Sequence, residues 1–269
     1  MTLCGWRRVA PATLAGLVLV VAVALGGCAT VPAGGATPTA TSRVDPWESW
    51  NRKVFAFNEA VDEAVLKPVA EAYRDVLPQL VRTGIGNVFG NFYDAWSVAN
   101  HLLQGKVQSG LDMGMRVLSN TLFGLGGLLD PATEMGLTRQ SEDFGQTLGR
   151  WGLPNGPFFV LPLFGPSTVR DAVGFWVDRQ VSPAQLTDSS AARWAVGSLE
   201  LIDLRANLLQ ATRLLDTVAL DKYSFVRDAY LSRRRDLLYD GAPPMETFED
   251  EGDDTPPAPT PGSPSPAPQ

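Results

Sequence analysis

Between residues 45 and 241 the apolar positions recur at helical spacing, and most runs are bounded by residues that start or stop helices. Asp45 stands where a cap belongs, Pro46 at the first helical position and Glu48 where a capping-box acid sits. Trp47, Trp50, Val54, Phe57 and Val61 then form one stripe, with Glu48, Arg52, Glu59 and Asp62 largely off it. Lys67-Pro68 punctuates, a shorter helix carries Val69, Tyr73 and Val76, and Pro78 ends it. The most regular stripe follows: Ile85, Phe89, Phe92, Trp96, Ala99 and Leu103, stopped by Gly105. Leu111, Met115, Leu118, Leu122 and Leu125 keep the same period on a helix that is more apolar all round.

Two stretches break the pattern. Leu122 to Leu129 is uncharged, with three glycines, and Asp130-Pro131 closes it. It is too short to cross a bilayer and suits either close backbone packing or a turn dipping into a membrane. Trp151 to Pro166 holds four prolines and cannot be a regular helix. Asn155-Gly156 is a hairpin-type dipeptide, so a short hairpin or an irregular apolar loop is expected, buried under helices or dipping into lipid. Helix resumes after Ser167 or Thr168, either able to cap, with Val169, Val173 and Trp176. A long helix is expected over about 191–220, with Leu201, Leu204, Leu208, Leu215 and Val218 near one face. A last one carries Tyr223, Val226, Tyr230 and Leu237 and stops at Gly241. The fold class is mainly α, with few strands and no convincing internal repeat.

The ends of the chain differ in composition. Arg7 and Arg8 precede an apolar stretch from Val9 to Leu25, and Leu25-Gly26-Gly27-Cys28 looks like a bacterial lipobox. This reading makes 1–27 a lipoprotein signal peptide and Cys28 the lipidated residue, carrying a diacylglycerol and an N-acyl chain and no other cofactor. An uncleaved membrane anchor is the alternative. Several acyl chains hold durably, since each buried methylene contributes about 0.8 kcal/mol. Residues 28–44 read as a flexible tether rich in Ala, Thr, Gly and Pro. Residues 242–269, with six acids between Glu246 and Asp254 followed by Pro-rich sequence, read as a disordered tail. The full chain carries a net charge of −7, and most of the excess acid lies in that tail. Such a balance speaks against nucleic acid as a partner.

Candidate chemistry is sparse. Cys4 leaves with the signal and Cys28 is acylated, so the mature chain has no free thiol. His101 is the single histidine, expected on the surface or in a satisfied polar contact. No His-based triad and no His-rich metal site can be assembled from it. Gly124 to Gly127 lacks the Lys-Ser/Thr of a phosphate loop. Glu142-Asp143 resembles a helix-start acid pair, and Arg233-Arg234-Arg235 would complement a helix C-terminus. The chain is therefore expected not to be an enzyme.

The order of short motifs is informative. Asp45-Pro46-Trp47-Glu48, Asn51-Arg52, Phe57-Asn58, Lys67-Pro68-Val69 and Tyr73-Arg74-Asp75 come first, then Asn87, Asn91, Asn100 and Leu103-Gln104-Gly105. Asn120-Thr121, Gly124 to Gly127, Glu142 to Gly149, Gly156-Pro157, Leu161-Pro162, Arg170-Asp171, Asp221, Tyr223, Arg227 and Tyr230 follow. Over Asp45 to Gly241 the chain resembles the MlaA/VacJ family of outer-membrane lipoproteins. It departs at Ala95, where proline is expected, and in its acidic tail. The resemblance implies a ring of amphipathic helices embedded in the periplasmic leaflet of the outer membrane, around an amphipathic channel. It implies removal of mislocalised phospholipids from the outer leaflet and transfer to a periplasmic lipid-carrier protein, in association with a trimeric outer-membrane porin. The alternative is an envelope scaffold that docks porins without moving lipid. The expected lipid contacts are Phe57, Asn58, Leu122, Phe123, Leu125, Leu128, Phe158 and Phe159. An apolar outer belt and a partly polar inner wall are expected.

Overall fold

The structure, a computed structural model, describes residues 44–244. The signal peptide, Cys28, nearly all of the expected tether and most of the expected tail lie outside the described residues.

The described part is mainly helical. The chain runs through α1 (Glu48–Val61) and a π-helical segment, Asp62–Leu66, directly into α2 (Lys67–Val76). Pro68 therefore does not break the helix as its sequence position suggests. A proline lacks the helical N–H and crowds the carbonyl four residues back. The wider π turn just before it takes up that irregularity. Leu77 is extended ahead of Pro78, and the helix stops there as expected. Then come α3 (Gln79–Leu103), α4 (Val107–Leu122), the short α5 (Pro131–Glu134) and α6 (Phe144–Arg150). A two-stranded antiparallel hairpin, β1 (Phe158–Leu161) and β2 (Gly165–Thr168), leads into α7 (Val169–Gln180). A 3-10 turn (Pro183–Leu186), α8 (Ser190–Val218) and α9 (Lys222–Leu238) complete the order.

The caps explain several boundaries. Asp143 accepts from the Gln146 N–H and starts α6, Thr168 accepts from the Asp171 N–H and starts α7, and Ser189 accepts from the Ala192 N–H at α8. Asp45 is a correction. It makes no cap for α1, whose first residue follows Trp47, and is instead buried. The hairpin also sits away from the expected turn. Its register pairs Phe158 with Thr168 and Leu161 with Gly165, so the reversal falls at 162–164, where Leu163 has φ +67. Asn155-Gly156 lies before β1.

Contacts among elements close on themselves. From α1 through the π segment to α2, the path continues to α8, α3, α6, α9, β2 and β1, and β1 packs back on α1. Two small apolar clusters sit within this circuit. Val54, Phe158, Val160 and Tyr223 form one, and Ala70, Ala206 and Leu209 the other. Among the described residues no helix is long and apolar enough to cross a membrane.

Candidate functional site

The partition of side chains is inverted relative to a water-soluble domain. Buried polar and charged residues outnumber buried apolar ones, and five of the buried apolar residues are Ala70, Ala132, Ala172, Ala184 and Ala206. Scattered exposed apolar residues are ordinary, but here they line up on helix faces. On α4, Val107, Leu111, Met115, Leu118 and Leu122 are exposed along one side. The opposite side buries Gly110, Met113, Arg116, Ser119 and Asn120. On α8, Leu201, Leu204, Leu208 and Val218 are exposed, whereas Asp203, Arg205, Ala206 and Leu209 are buried. On α3 the expected stripe from Ile85 to Ala99 is half-buried, Leu103 is exposed, and the buried face holds Asn91, Asp94, Ser97, Asn100 and His101. The helical period was legible in the sequence, and the buried side is the polar one.

Ion pairs and amides satisfy most of that interior, with Asn91 Oδ1 and His101 Nδ1 among the exceptions. Arg116, 2% exposed, donates to Asp94 at 3.1 Å, Asp130 at 2.5 Å, Thr133 at 3.0 Å and the Leu137 carbonyl at 2.6 Å. Asn120 donates to Asp130 at 3.0 Å and accepts from the Ala132 N–H, so the segment after α4 is tied back to α4. Burial pushes the Asp94 carboxyl up, although Arg139 and Arg116 both pull against it. At the hairpin, Asn51 donates to Asp45 and to the Phe158 carbonyl and accepts from the Val160 N–H. Tyr223 also donates to Asp45, and Arg227 pairs with it at 3.5 Å.

A second polar cluster joins α6, α7 and α9. Arg234 pairs with both Asp143 and Asp171, and Arg170 and Tyr230 also donate to Asp171. Burial acts to raise the Asp171 carboxyl, but the guanidiniums of Arg234 and Arg170 and the Tyr230 hydroxyl hold it below its ordinary value. Arg234 is thus a half-buried partner in this cluster, and of the expected arginine run Arg235 is the one in the last turn of α9. Of the two positions expected for His101, a surface site or a polar contact, the structure shows the contact. The side chain is 1% exposed, and its Nε2 lies 2.9 Å from the Gln140 carbonyl oxygen. Among the described residues no group of His, Cys, Asp and Glu could hold a metal ion.

The expected lipid contacts divide. Phe57, Leu122, Phe123, Leu125 and Leu128 are exposed, the middle three at 70–74%. Leu125 has φ +54 and is followed by Gly126 and Gly127, both in the same left-handed region. A Cβ on Gly127 would meet the Asn91 side chain at 2.9 Å, so this apolar turn is seated closely on α3. Phe159 is half-buried. Phe158 is 1% exposed and packs edge-on to Tyr223 and Tyr230, which makes it a core residue out of reach of a surface lipid. Asn58 is occupied at both ends: it donates to the Leu161 carbonyl and accepts from the Leu163 N–H, pinning the hairpin turn to α1. Sequence reasoning missed the roles of Asp45, Asp178 and Arg234, whose neighbours come from distant segments.

Comparison with known proteins is consistent throughout. The family profile described as MlaA lipoprotein matches residues 43–237. The Intermembrane phospholipid transport system lipoprotein MlaA of Escherichia coli (strain K12) is 34% identical over 226 residues, covering 82% of this chain and 88% of that protein. Its namesake in Haemophilus influenzae is 31% identical, over 83% and 89% of the two chains. A solved structure described as "Structural basis for maintenance of bacterial outer membrane lipid asymmetry" is 38% identical, with a TM-score of 0.63, over 73% of this chain and all of that one. With this coverage and these motifs in order, the chain belongs to the MlaA lipoprotein family.

Proposed function

We propose that this chain is an outer-membrane lipoprotein of phospholipid transport, which withdraws mislocalised phospholipids from the outer leaflet and passes them to a periplasmic carrier, so keeping the two leaflets different. The relatives' names and the solved structure's subject supply the system. The observation that carries the reading is the inverted partition: leucines outward, ion pairs and amides inward, around a closed circuit of elements. Acyl tails can solvate the outer faces without loss, because burial in lipid removes the same apolar area from water as burial in a core. A headgroup needs polar partners, which the inner wall supplies.

On this reading the helices lie in the periplasmic leaflet, whose hydrocarbon is roughly 15 Å deep, half the bilayer core. Helices of 25 and 29 residues would extend to about 38 and 44 Å and must therefore lie strongly tilted or flat. Cys28 anchors the chain through its acyl groups, and a trimeric porin and a periplasmic lipid carrier are its partners. The role is transport rather than catalysis. The buried position of His101, with one nitrogen against a backbone carbonyl, supports that.

Deleting the gene in its native host and labelling surface-exposed phospholipid tests the reading. A rise that the intact gene reverses is expected. Unchanged surface lipid with porin still co-purifying would instead identify a scaffold that moves no lipid.

A further inference from the structure

Among the described residues, a carboxylate and a guanidinium adjacent in sequence on α7, Asp178 and Arg179, make no ion pair. A cavity of about 190 Å³ is walled by Phe164, Phe175, Asp178 and Tyr230, with Asp143, Asp171 and Arg234 at its back. Asp143 and Asp171 are paired with arginines. Asp178 is not. Its Oδ1 accepts from Trp96 Nε1 at 2.7 Å and from the Phe144 N–H at 3.1 Å, both uncharged donors. No hydrogen bond among the described residues reaches its Oδ2. The Arg179 side chain makes no hydrogen bond or ion pair among the described residues, and its guanidinium carbon lies 5.9 Å from the ring centroids of Phe164 and Phe175. The Tyr93 hydroxyl, donated to Glu200, feels the field of both Asp178 and Arg179.

We propose that this cavity and Arg179 beside it form a subsite for a zwitterionic phospholipid headgroup, with Asp178 receiving a primary ammonium and Arg179 the phosphate. This rests on the lipid-transport reading and adds the headgroup class. Burial pushes the Asp178 carboxyl up to about 6. An ionised group held there is costly until a cation with N–H donors arrives. The two phenyl rings, 5.0 Å apart between centroids, line the cavity and lie within cation–π reach of Arg179. Arg179 supplies the planar donor set suited to phosphate. The volume is below the roughly 300–1,000 Å³ of sites that engulf a drug-sized ligand, so only the headgroup enters. A glycerol headgroup brings no cation and leaves Asp178 unpaired, which is a penalty against the wrong lipid.

The test uses the full acylated chain in non-ionic detergent, offered equal amounts of dioleoyl phosphatidylethanolamine and dioleoyl phosphatidylglycerol, with bound lipid measured by mass spectrometry. The wild type should favour the ethanolamine lipid by about tenfold, the factor that one charge-assisted hydrogen bond supplies. Asp178→Asn keeps an acceptor for Trp96 and Phe144 and should bring the ratio close to one. Arg179→Gln should lower capture of both lipids while retaining the preference. Melting curves identify any variant that has failed to fold. Both lipids captured with the same ratio in wild type and Asp178→Asn would overturn the subsite alone, whereas no capture of either lipid by the wild type would overturn the transport reading with it. Soluble glycerophosphoethanolamine, titrated separately, distinguishes the source. Its tight binding by a wild type that shows no lipid preference would move the site from lipid to a free phosphodiester and overturn the assignment.

Discussion

Asn51 holds three groups with one amide: the carboxylate of Asp45 at the start of the domain and, on β1, the carbonyl of Phe158 and the N–H of Val160. A leucine there fills similar volume and satisfies none of them. Asn51→Leu should therefore destabilise by about 1–3 kcal/mol for each backbone group left unpaired, read as a lower melting temperature in detergent. Asp178 gives a pH signature at the same scale. Its folded value, about 6, lies above its ordinary 3.8. The fold thus favours the protonated form. That contribution is complete below the ordinary value and is lost as pH rises through about 6. Melting temperature should rise as pH is lowered from 7 to 5, and Asp178→Asn should flatten this slope. The nearby Asp143 raises the shift and Arg234 opposes it, while Asp171, held low, stays ionised across that window.

At the scale of elements, α4 carries its two roles on opposite sides. Leu118 faces outward and Arg116 inward, two residues apart. Leu118→Arg should leave helical content in detergent unchanged yet weaken retention on vesicles, since arginine in a bilayer-exposed helix costs about 2.5–3.5 kcal/mol near the hydrocarbon centre. Arg116→Met should do the opposite. It leaves Asp94 with Arg139 alone and Asp130 with uncharged donors only, and breaking a buried pair costs about 3–5 kcal/mol, read as loss of the folded state. These helices were readable from spacing alone, and Asp143 and Thr168 announced their helix starts. Three things were not. A three-four spacing gives a stripe but not which solvent it meets, because oil outside and polar groups inside leave the same period as the reverse. Asp45 looked like a cap because its real partners, Tyr223 and Arg227, lie about 180 residues away. Asn155-Gly156 looked like the reversal, but Asn58 fixes the turn at Leu163 instead, where the backbone accepts φ +67.

For the whole molecule, the proposed reading gives two separate attachments, the outward apolar belt and acyl chains on Cys28. Replacing Cys28 by serine removes the second only. The mature Cys28→Ser chain should still sediment with vesicles of mixed phosphatidylethanolamine and phosphatidylglycerol. Recovery as a monodisperse protein in the supernatant would show that the exposed leucines do not engage lipid. The candidate site was legible only in part at this scale. The motif order pointed to the family, and Phe57 and the turn around Leu125 are indeed outward. The inner charges were invisible, since each is assembled from helices far apart in the chain.

Placing guanidinium–carboxylate pairs at the centre has a consequence for rigidity. Coulomb attraction grows as the surrounding medium becomes less polarisable. When hydrocarbon replaces detergent or water around the outer faces, Arg116 with Asp94 and Arg234 with Asp171 are screened less, although neither pair lies on those faces. The chain would then be stiffest in the bilayer itself, with the oil outside tightening the charged clasps within.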